Sequence, residues 1–245
     1  MMISNLVTLQ LKTEENFDEN LNNLTKHIKS CEKYSLILAP ELCLTGYCYD
    51  KLELASSFTV VATDTIKELS KEKTISLTMI TYDKKKKSYQ NTAFVFSQNS
   101  LIHKQSKAKL FHLNKEADYF LQADEKNIKL FDIGNTKVGL LICFELRFIN
   151  LWLKLKGADI ILVPSMWGVL RKQNLEQLSC ALAVANQCYV VVANSAYDDM
   201  AKSSAVISPF GDVVIDDDKS KIVAKFIKSE ITKMRRYIHI AQNNL

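Results

Sequence analysis

A chain of 245 residues, of which 47% are hydrophobic and 24% charged, has the composition of a soluble globular protein with a substantial core. The net charge of +5 comes mostly from lysine, and the few arginines do not form the basic face expected of a nucleic-acid-binding protein. The N-terminal residues show no secretory signal, and no segment reaches the roughly 18 apolar residues of a membrane helix. We therefore expect a soluble, cytoplasmic protein that acts on neither nucleic acid nor membrane.

The cysteine and histidine patterns do not favour a metal site. The six cysteines, expected to be reduced inside the cell, include no Cys-x-x-Cys pair. The four histidines are scattered and include no His-x-x-x-His spacing. A structural zinc site is therefore not expected.

Segments of strand type alternate with segments of helical type along nearly the whole chain. In chain order the pattern predicts a strand at 6–11, a helix at 14–30, a strand at 35–39, a helix at 61–71, strands at 74–81, 91–97, 128–133 and 137–142, a helix at 147–156, a strand at 159–163, a helix at 171–187, and strands at 189–193, 204–208 and 212–215. The lysine run 84–87 predicts a solvated hairpin turn. This alternation indicates an α/β protein with helices packed on the sheet, and the continuous apolar strands indicate sheets that are buried on both faces. No repeat or break in composition divides the chain, so we expect one domain spanning 1–245.

Polar residues directly follow two of the predicted strands, where α/β folds gather functional side chains. Glu41 follows Pro40 at the end of one strand, and a carboxylate there is costly to desolvate unless it has partners or a chemical task. By itself, Glu41 is more typical of a surface acid. Cys143 lies at a strand-to-helix corner, where backbone N–H groups lower a thiol pKa and supply donors for an oxyanion. Position alone leaves a catalytic thiol and a small core residue about equally favoured.

A third polar segment, residues 103–111, holds Lys104, Lys107 and Lys109. Composition alone does not choose among these lysines. The alternative interpretation is a solvated basic loop.

Three blocks in this order resemble signatures of the nitrilase superfamily, also called the carbon-nitrogen hydrolases. Residues 40–47 (PELCLTGY) resemble the P-E-L-x-x-T-G-Y block around its catalytic Glu, which maps onto Glu41. Residues 107–111 (KAKLF) resemble its K-x-H-L-F block, whose catalytic Lys maps onto Lys107. Residues 143–148 (CFELRF) resemble its C-Y-D-x-R-F block around the nucleophile, which maps onto Cys143. Weaker echoes, at Asn91-Thr92, 164–167, 185–190 and Ser204 to Gly211, extend the match from Leu6 to about Ile215.

Several positions depart from the family pattern. Gln105-Ser106 replace an aromatic-Arg lead-in, Lys109 stands where His is common, Glu145 replaces Asp, and Ile149 replaces Pro. The usual R-A-x-E-N helix motif appears as residues 182–186 (LAVAN), without its two charges. These changes leave the three catalytic positions intact.

The resemblance implies a four-layer α-β-β-α sandwich, usually assembled as a homodimer or higher homo-oligomer. It implies an amidohydrolase acting on carbon-nitrogen bonds other than peptide bonds, similar to the ω-amidase, aliphatic amidase and N-carbamoyl amino acid hydrolase branches. No metal or organic cofactor is required.

The chemistry of the three residues is consistent with that activity. Glu41 would take the proton of Cys143 as the sulfur attacks an amide carbonyl. Lys107 and the backbone N–H of Phe144 would stabilise the oxyanion of the tetrahedral intermediate. Ammonia would leave, and water activated by Glu41 would then hydrolyse the thioester on Cys143.

The resemblance also suggests residues that support the reaction and bind the substrate. Glu116 resembles a second Glu near the catalytic residues, where it would orient Glu41, Lys107 or the substrate; its alternative is a surface acid. Tyr47 and Trp167 lie in matched blocks and are candidate substrate-binding residues.

Arg147 is the best indication of the substrate. It follows Cys143 by one helical turn, and in related ω-amidases and carbamoylases an Arg at this place holds a substrate carboxylate. The alternative is a buried ion pair, for example with Glu145. We expect a small amide or ureido compound that carries a carboxylate.

Three other functions stay open. A nitrilase acting on a nitrile would use the same three residues. A papain-type Cys-His hydrolase needs a positioned His, yet none of the four histidines sits at a clear strand end. The third alternative is an interaction module with a vestigial site.

Overall fold

A computed structural model describes residues 2–239 of the protein. Its strands are β1 (Asn5–Leu9), β2 (Ser35–Leu38), β3 (Thr74–Asp83), β4 (Ser88–Ser97), β5 (Ser100–Ser106), β6 (Phe131–Ile133), β7 (Thr136–Leu140), β8 (Ile160–Pro164), β9 (Tyr189–Ala193), β10 (Ala205–Ile207), β11 (Val213–Ile215) and β12 (Lys221–Lys225). Its helices are α1 (Phe17–Lys29), α2 (Leu52–Leu69), α3 (Glu116–Tyr119), α4 (Ile149–Lys154), α5 (Lys172–Asn186) and α6 (Lys228–Tyr237). Within the described residues, no helix is both long and apolar enough to cross a membrane.

The strands form two six-stranded sheets built on the same plan. The first sheet has the order β12-β1-β2-β3-β4-β5, and the second has the order β11-β10-β9-β8-β7-β6. In each sheet three central strands run parallel, β1-β2-β3 in one and β7-β8-β9 in the other, and antiparallel strands flank them. The parallel strands of a sheet all end at the same edge, and α/β folds place functional residues there.

Alternating side chains bury both faces of the central strands. In β1, Leu6 packs in the core between the sheets and Thr8 donates to the carbonyl of Val192 in β9 at 2.5 Å. The intervening Val7 and Leu9 pack with apolar residues of α1 and α2 on the outer face. Apolar residues of α4, α5 and α6 join the core of the second sheet. The layers therefore run helix, sheet, sheet, helix, and the predicted four-layer α-β-β-α sandwich is confirmed.

Most predicted elements are present with shifted ends, and the lysine run 84–87 is an exposed turn between β3 and β4. The helix predicted at 61–71 begins earlier, at Leu52. The prediction misses its first part because Leu54, Val60 and Val61 are apolar but exposed, so the apolar residues do not mark one face of the helix. The helix predicted at 147–156 begins only at Ile149, after a 3₁₀ segment.

Four elements have no counterpart in the prediction, and one of them is the four-residue helix α3. The first part of the predicted loop 103–111 is strand β5, whose buried side chains, His103 and Gln105, are polar and give no apolar alternation. Strand β12 and helix α6 have few buried positions among many lysines and arginines, so their sequences resemble solvated segments.

The side chain of Gln105 connects the two sheets by a hydrogen bond. Its Nε2 donates to the carbonyl of Leu140 at 3.1 Å, and the residue is 1% exposed. Leu140 is the last residue of β7, whereas Gln105 belongs to β5. This hydrogen bond therefore fixes the end of one sheet against the other.

We expect Gln105→Met to lower the free energy of unfolding by about 1 kcal/mol, since it removes this buried hydrogen bond with little change of shape. Urea denaturation with linear extrapolation measures the difference. The control is Gln173→Met on the exposed surface of α5, which should stay within about 0.5 kcal/mol of the wild type. If both variants lost the same free energy of unfolding, the hydrogen bond between Gln105 and Leu140 would contribute nothing to stability.

Candidate active site

Glu41, Lys107 and Cys143 follow three different strands and meet where the two sheets adjoin. Glu41 comes after β2, Lys107 after β5 and Cys143 after β7. The three residues are 0%, 1% and 7% exposed, respectively. Charges buried this deeply require partners, because removing an ion from water is costly unless another group compensates it.

The ammonium group of Lys107 has an acceptor for each of its three N–H bonds. Its Nζ lies 2.8 Å from Glu41 Oε1, 2.9 Å from Glu116 Oε1 and 3.2 Å from the hydroxyl oxygen of Tyr47. The Tyr47 hydroxyl in turn donates to Glu116 Oε1 at 2.8 Å, and the backbone N–H of Phe111 donates to Glu116 Oε2 at 3.1 Å. Glu116 is 1% exposed, so the alternative of a surface acid is wrong for this residue.

The two carboxylate oxygens of Glu41 have different surroundings. Oε1 accepts from Lys107 and also from the side-chain amide of Asn91 at 2.9 Å. Oε2 is buried and has no hydrogen-bond partner among residues 2–239. The backbone N–H of Glu41 donates to the carbonyl of Ser165 at 3.2 Å, which fixes the residue from the opposite sheet. One oxygen of this buried carboxylate is therefore held in place and the other is open to accept a proton.

The electrostatics of the site disfavour a thiolate. Burial raises the pKa of the Cys143 thiol well above its ordinary value, and the carboxylate of Glu41 raises it further against the opposing charge of Lys107. Burial alone would lower the pKa of Lys107, but Glu41, Cys143 and Glu116 together raise it. Two carboxylates already outnumber the single ammonium, so a thiolate would add a further uncompensated negative charge. These shifts favour a protonated thiol beside a charged lysine.

Cys143 occupies a sharp backbone corner that Glu145 holds in place. The φ of Cys143 is 50°, in the left-handed region that is strained for any residue other than glycine. Glu145 is fully buried, and its carboxylate accepts from the backbone N–H groups of Ala108 and Ile142, both at 2.6 Å. Burial raises the pKa of Glu145 to about 7, although both N–H donors oppose the shift. One side chain thereby connects the residue after Lys107 with the residue before Cys143.

A small pocket beside Cys143 contains two guanidinium groups. Its walls are formed by Phe111, Cys143, Phe144, Arg147, Met166, Trp167 and Arg171. The guanidinium of Arg147 lies over the ring of Trp167, with 4.5 Å between Cζ and the ring centroid, and donates to Asn174 Oδ1 at 3.0 Å. The alternative in which Arg147 pairs with Glu145 is wrong, because backbone N–H groups occupy that carboxylate.

The other two lysines of the basic segment lie away from the site. Lys104 lies over the ring of Phe94, with 5.2 Å from Nζ to the centroid, and Lys109 forms an ion pair with Glu125. None of the four histidines, all within the described residues, lines the pocket. Within residues 2–239, no group of three His, Cys, Asp or Glu side chains is arranged to hold a metal ion.

Two residues of the site were not identified from the sequence. Asn91 belongs to a weak echo of the family pattern, but only the pairing of β2, β3 and β4 shows that it reaches Glu41. Arg171 is a single arginine before α5, and nothing in its neighbourhood distinguishes it from a solvated side chain.

Comparisons with known proteins agree with this fold. A family model described as Carbon-nitrogen hydrolase matches residues 6–236. The 2-oxoglutaramate amidase of Bacillus subtilis (strain 168) is 27% identical over 218 residues, which cover 84% of this chain and 83% of that protein. The omega-amidase NIT2 of Xenopus tropicalis is 28% identical over 214 residues, which cover 80% and 78% of the two chains.

A solved structure shows the same architecture. The crystal structure of Saccharomyces cerevisiae Nit3, a member of branch 10 of the nitrilase superfamily, matches with a TM-score of 0.85 at 22% identity, over 98% of this chain and 95% of Nit3. The family model spans nearly the whole chain, and the sandwich fold is shared. The protein therefore belongs to the carbon-nitrogen hydrolase family.

Proposed function

We propose that this carbon-nitrogen hydrolase cleaves the amide bond of a small ω-amide that carries a carboxylate, through a thioester on Cys143. The observation that carries the proposal is the asymmetry of Glu41: Lys107 and Asn91 hold one carboxylate oxygen, and the other is buried with no hydrogen-bond partner between residues 2 and 239. A general base needs such an oxygen next to a protonated nucleophile. The names of the amidases from Bacillus subtilis and Xenopus tropicalis support a small amide as substrate.

The first half of the reaction transfers the acyl group to the enzyme. The sulfur of Cys143 attacks the amide carbonyl carbon while its proton passes to Glu41, so a neutral thiol becomes a competent nucleophile only during the attack. The tetrahedral intermediate carries a negative oxygen, which the Lys107 ammonium and the backbone N–H of Phe144 stabilise. Glu41 then returns the proton to the departing nitrogen. The C–N bond breaks, and ammonia and a thioester are formed.

The second half regenerates the enzyme. Glu41 accepts a proton from water as the water oxygen attacks the thioester carbonyl. The C–S bond breaks, the proton returns to the sulfur of Cys143, and the acid product leaves. Lys107 stabilises the second tetrahedral intermediate as it did the first.

Glu116 and Tyr47 support Lys107 in this mechanism. Both hold the ammonium directly, which fixes its position and preserves its charge. Because Lys107 and Glu116 already engage the Tyr47 hydroxyl, we assign Tyr47 this positioning role, and its contact with the substrate stays a prediction. The homodimer and the cytoplasmic location also stay predictions.

Arg147 supports a carboxylate at the far end of the substrate. Its guanidinium lies in the pocket beside Cys143, and its hydrogen-bond partner there is the neutral side chain of Asn174. Burial lowers the pKa of Arg147, and the nearby positive charge of Arg171 lowers it further. An anion bound at this place would compensate both effects. Trp167 supplies the flat surface on which the guanidinium lies.

The proposal predicts that the protein releases ammonia from small amides and that Cys143→Ala lowers the rate at least about 10³-fold, as expected when a nucleophile is removed. The assay compares both proteins on succinamate, glutaramate, 2-oxoglutaramate, N-carbamoyl amino acids and the corresponding nitriles. The control is Cys180→Ala, a half-buried cysteine on α5 that should keep wild-type activity. Equal release by Cys143→Ala would exclude the thioester. Turnover of nitriles alone would indicate a nitrilase, and no turnover at all would favour a vestigial site.

A second prediction concerns the pH dependence of the thiol. Because the pKa of Cys143 is raised, the thiolate fraction stays small at neutral pH and grows only above the ordinary thiol pKa of about 8.5. Alkylation of Cys143 by iodoacetamide, followed by mass spectrometry, should therefore keep rising with pH through about 9 without a plateau. A plateau reached below pH 8 would show that Lys107 outweighs burial and Glu41, and that the resting nucleophile is a thiolate.

A third prediction tests Arg147. Arg147→Met should lower kcat/KM for succinamate about 10–100-fold, the effect of losing hydrogen bonds to a charged group, and should change kcat/KM for neutral butanamide less than about threefold. Steady-state kinetics on the two amides measure the ratio. An equal change for both substrates would remove the carboxylate from the proposal.

A further inference from the structure

Arg171 places a second positive charge in the pocket beside Cys143. It ends the 3₁₀ segment Val169–Arg171, immediately before α5. Its guanidinium lies over the ring of Phe111, with 5.3 Å between Cζ and the centroid. Arg147 and Arg171 thus approach the same small pocket from two different segments of the chain.

Neither arginine is neutralised by an acid of the described segment 2–239. Among the described residues, neither Arg147 nor Arg171 forms an ion pair with a carboxylate, although the same structure pairs Arg235 with Asp159. The charge of Arg171 is close enough to Arg147 to contribute to the lowering of its pKa, after burial. Two like charges in one half-buried pocket repel each other, and an anion bound between them would convert this repulsion into attraction.

The aromatic surfaces orient the two guanidinium groups. Each lies over a ring, Trp167 under Arg147 and Phe111 under Arg171. Stacking restricts the plane of a guanidinium and leaves the N–H groups along its edge free for a carboxylate. Gly168 leaves room for this arrangement, since a Cβ at that position would lie 3.3 Å from Arg171 Nη2.

We propose that Arg147 and Arg171 form one subsite that grips a single substrate carboxylate from two sides. The proposal rests on the proposed amidase function and deepens it, because it makes Arg171 a specificity-determining residue. Each guanidinium can present two parallel N–H groups to a carboxylate. The two arginines together therefore supply four N–H donors, which match the roughly four lone-pair positions of one carboxylate. The substrate class is therefore a small amide with one carboxylate at the end opposite the scissile bond.

The test measures binding in a protein that cannot turn the ligand over. In a Cys143→Ala background, calorimetric titration with succinamate and with glutaramate gives the Kd of each intact amide. Arg171→Met should raise the Kd of the better ligand at least tenfold, and Arg147→Met should do the same. The control is Arg236→Met on the exposed face of α6, whose Kd should match the parent within about twofold. An unchanged Kd in Arg171→Met would overturn the proposal.

The double variant tests whether one carboxylate is shared. If both arginines hold the same group, Arg147→Met with Arg171→Met should raise the Kd by less than the product of the two single effects, because the sites are coupled. A rise equal to that product would overturn the single-carboxylate assignment.

Failure of the subsite and failure of the amidase are distinguishable. If the Cys143→Ala protein binds neither acidic amide while the wild type hydrolyses butanamide, the carboxylate subsite is wrong and the amidase function stands. If the wild type hydrolyses no amide but the arginine variants weaken succinamate binding as expected, the subsite stands and the reaction is wrong.

Discussion

The buried ammonium of Lys107 is the interaction on which the site depends. An isolated charge in this position would be strongly unfavourable, yet three acceptors surround it: Glu41, Glu116 and Tyr47. The arrangement uses only one oxygen of Glu41, and the other has no hydrogen-bond partner in the described part of the chain. Burial and the carboxylate of Glu41 raise the pKa of the Cys143 thiol, which favours its protonated form, as the proposed proton transfer to Glu41 requires.

The same site joins the two sheets of the sandwich. Glu41 follows a strand of the first sheet and Cys143 follows a strand of the second, so any sliding of the sheets would separate the two side chains. Two fully buried contacts oppose such sliding: Gln105 donates to Leu140, and Glu145 accepts from the backbone on both sides. A carboxylate bound only by neutral N–H groups is costly to bury, as the raised pKa of Glu145 shows. The geometry of the site is thus maintained at the expense of electrostatic stability.

The four-layer fold is predicted by the motifs that resemble the family, and the same motifs select Glu41, Lys107 and Cys143, whereas position alone leaves the roles of Glu41 and Cys143 open. Glu41 and Cys143 fall at the ends of continuous apolar runs, but these strands belong to different sheets, so the approach of the two residues depends on how the sheets pack. Strand β5 is not predicted, because its buried face carries the polar residues His103 and Gln105 where apolar side chains would mark a strand. Asn91 lies 50 positions from Glu41 in sequence, and the contact depends on the order of strands rather than on any local pattern. Arg171 shares this limitation, since the role proposed for it depends on Arg147 from another segment.

The pairing of β1 with β12 has a consequence for synthesis on the ribosome. Strand β1 lies in the interior of the first sheet, between β2 and β12, yet β12 is made only after most of the chain. During elongation one edge of β1 therefore stays unpaired, and its five residues are all buried in the finished protein. Open apolar edges of this kind pair readily with other chains. The nascent protein thus passes through a long interval in which its first strand is an aggregation-prone edge, and emergence of Lys221–Lys225 ends that interval.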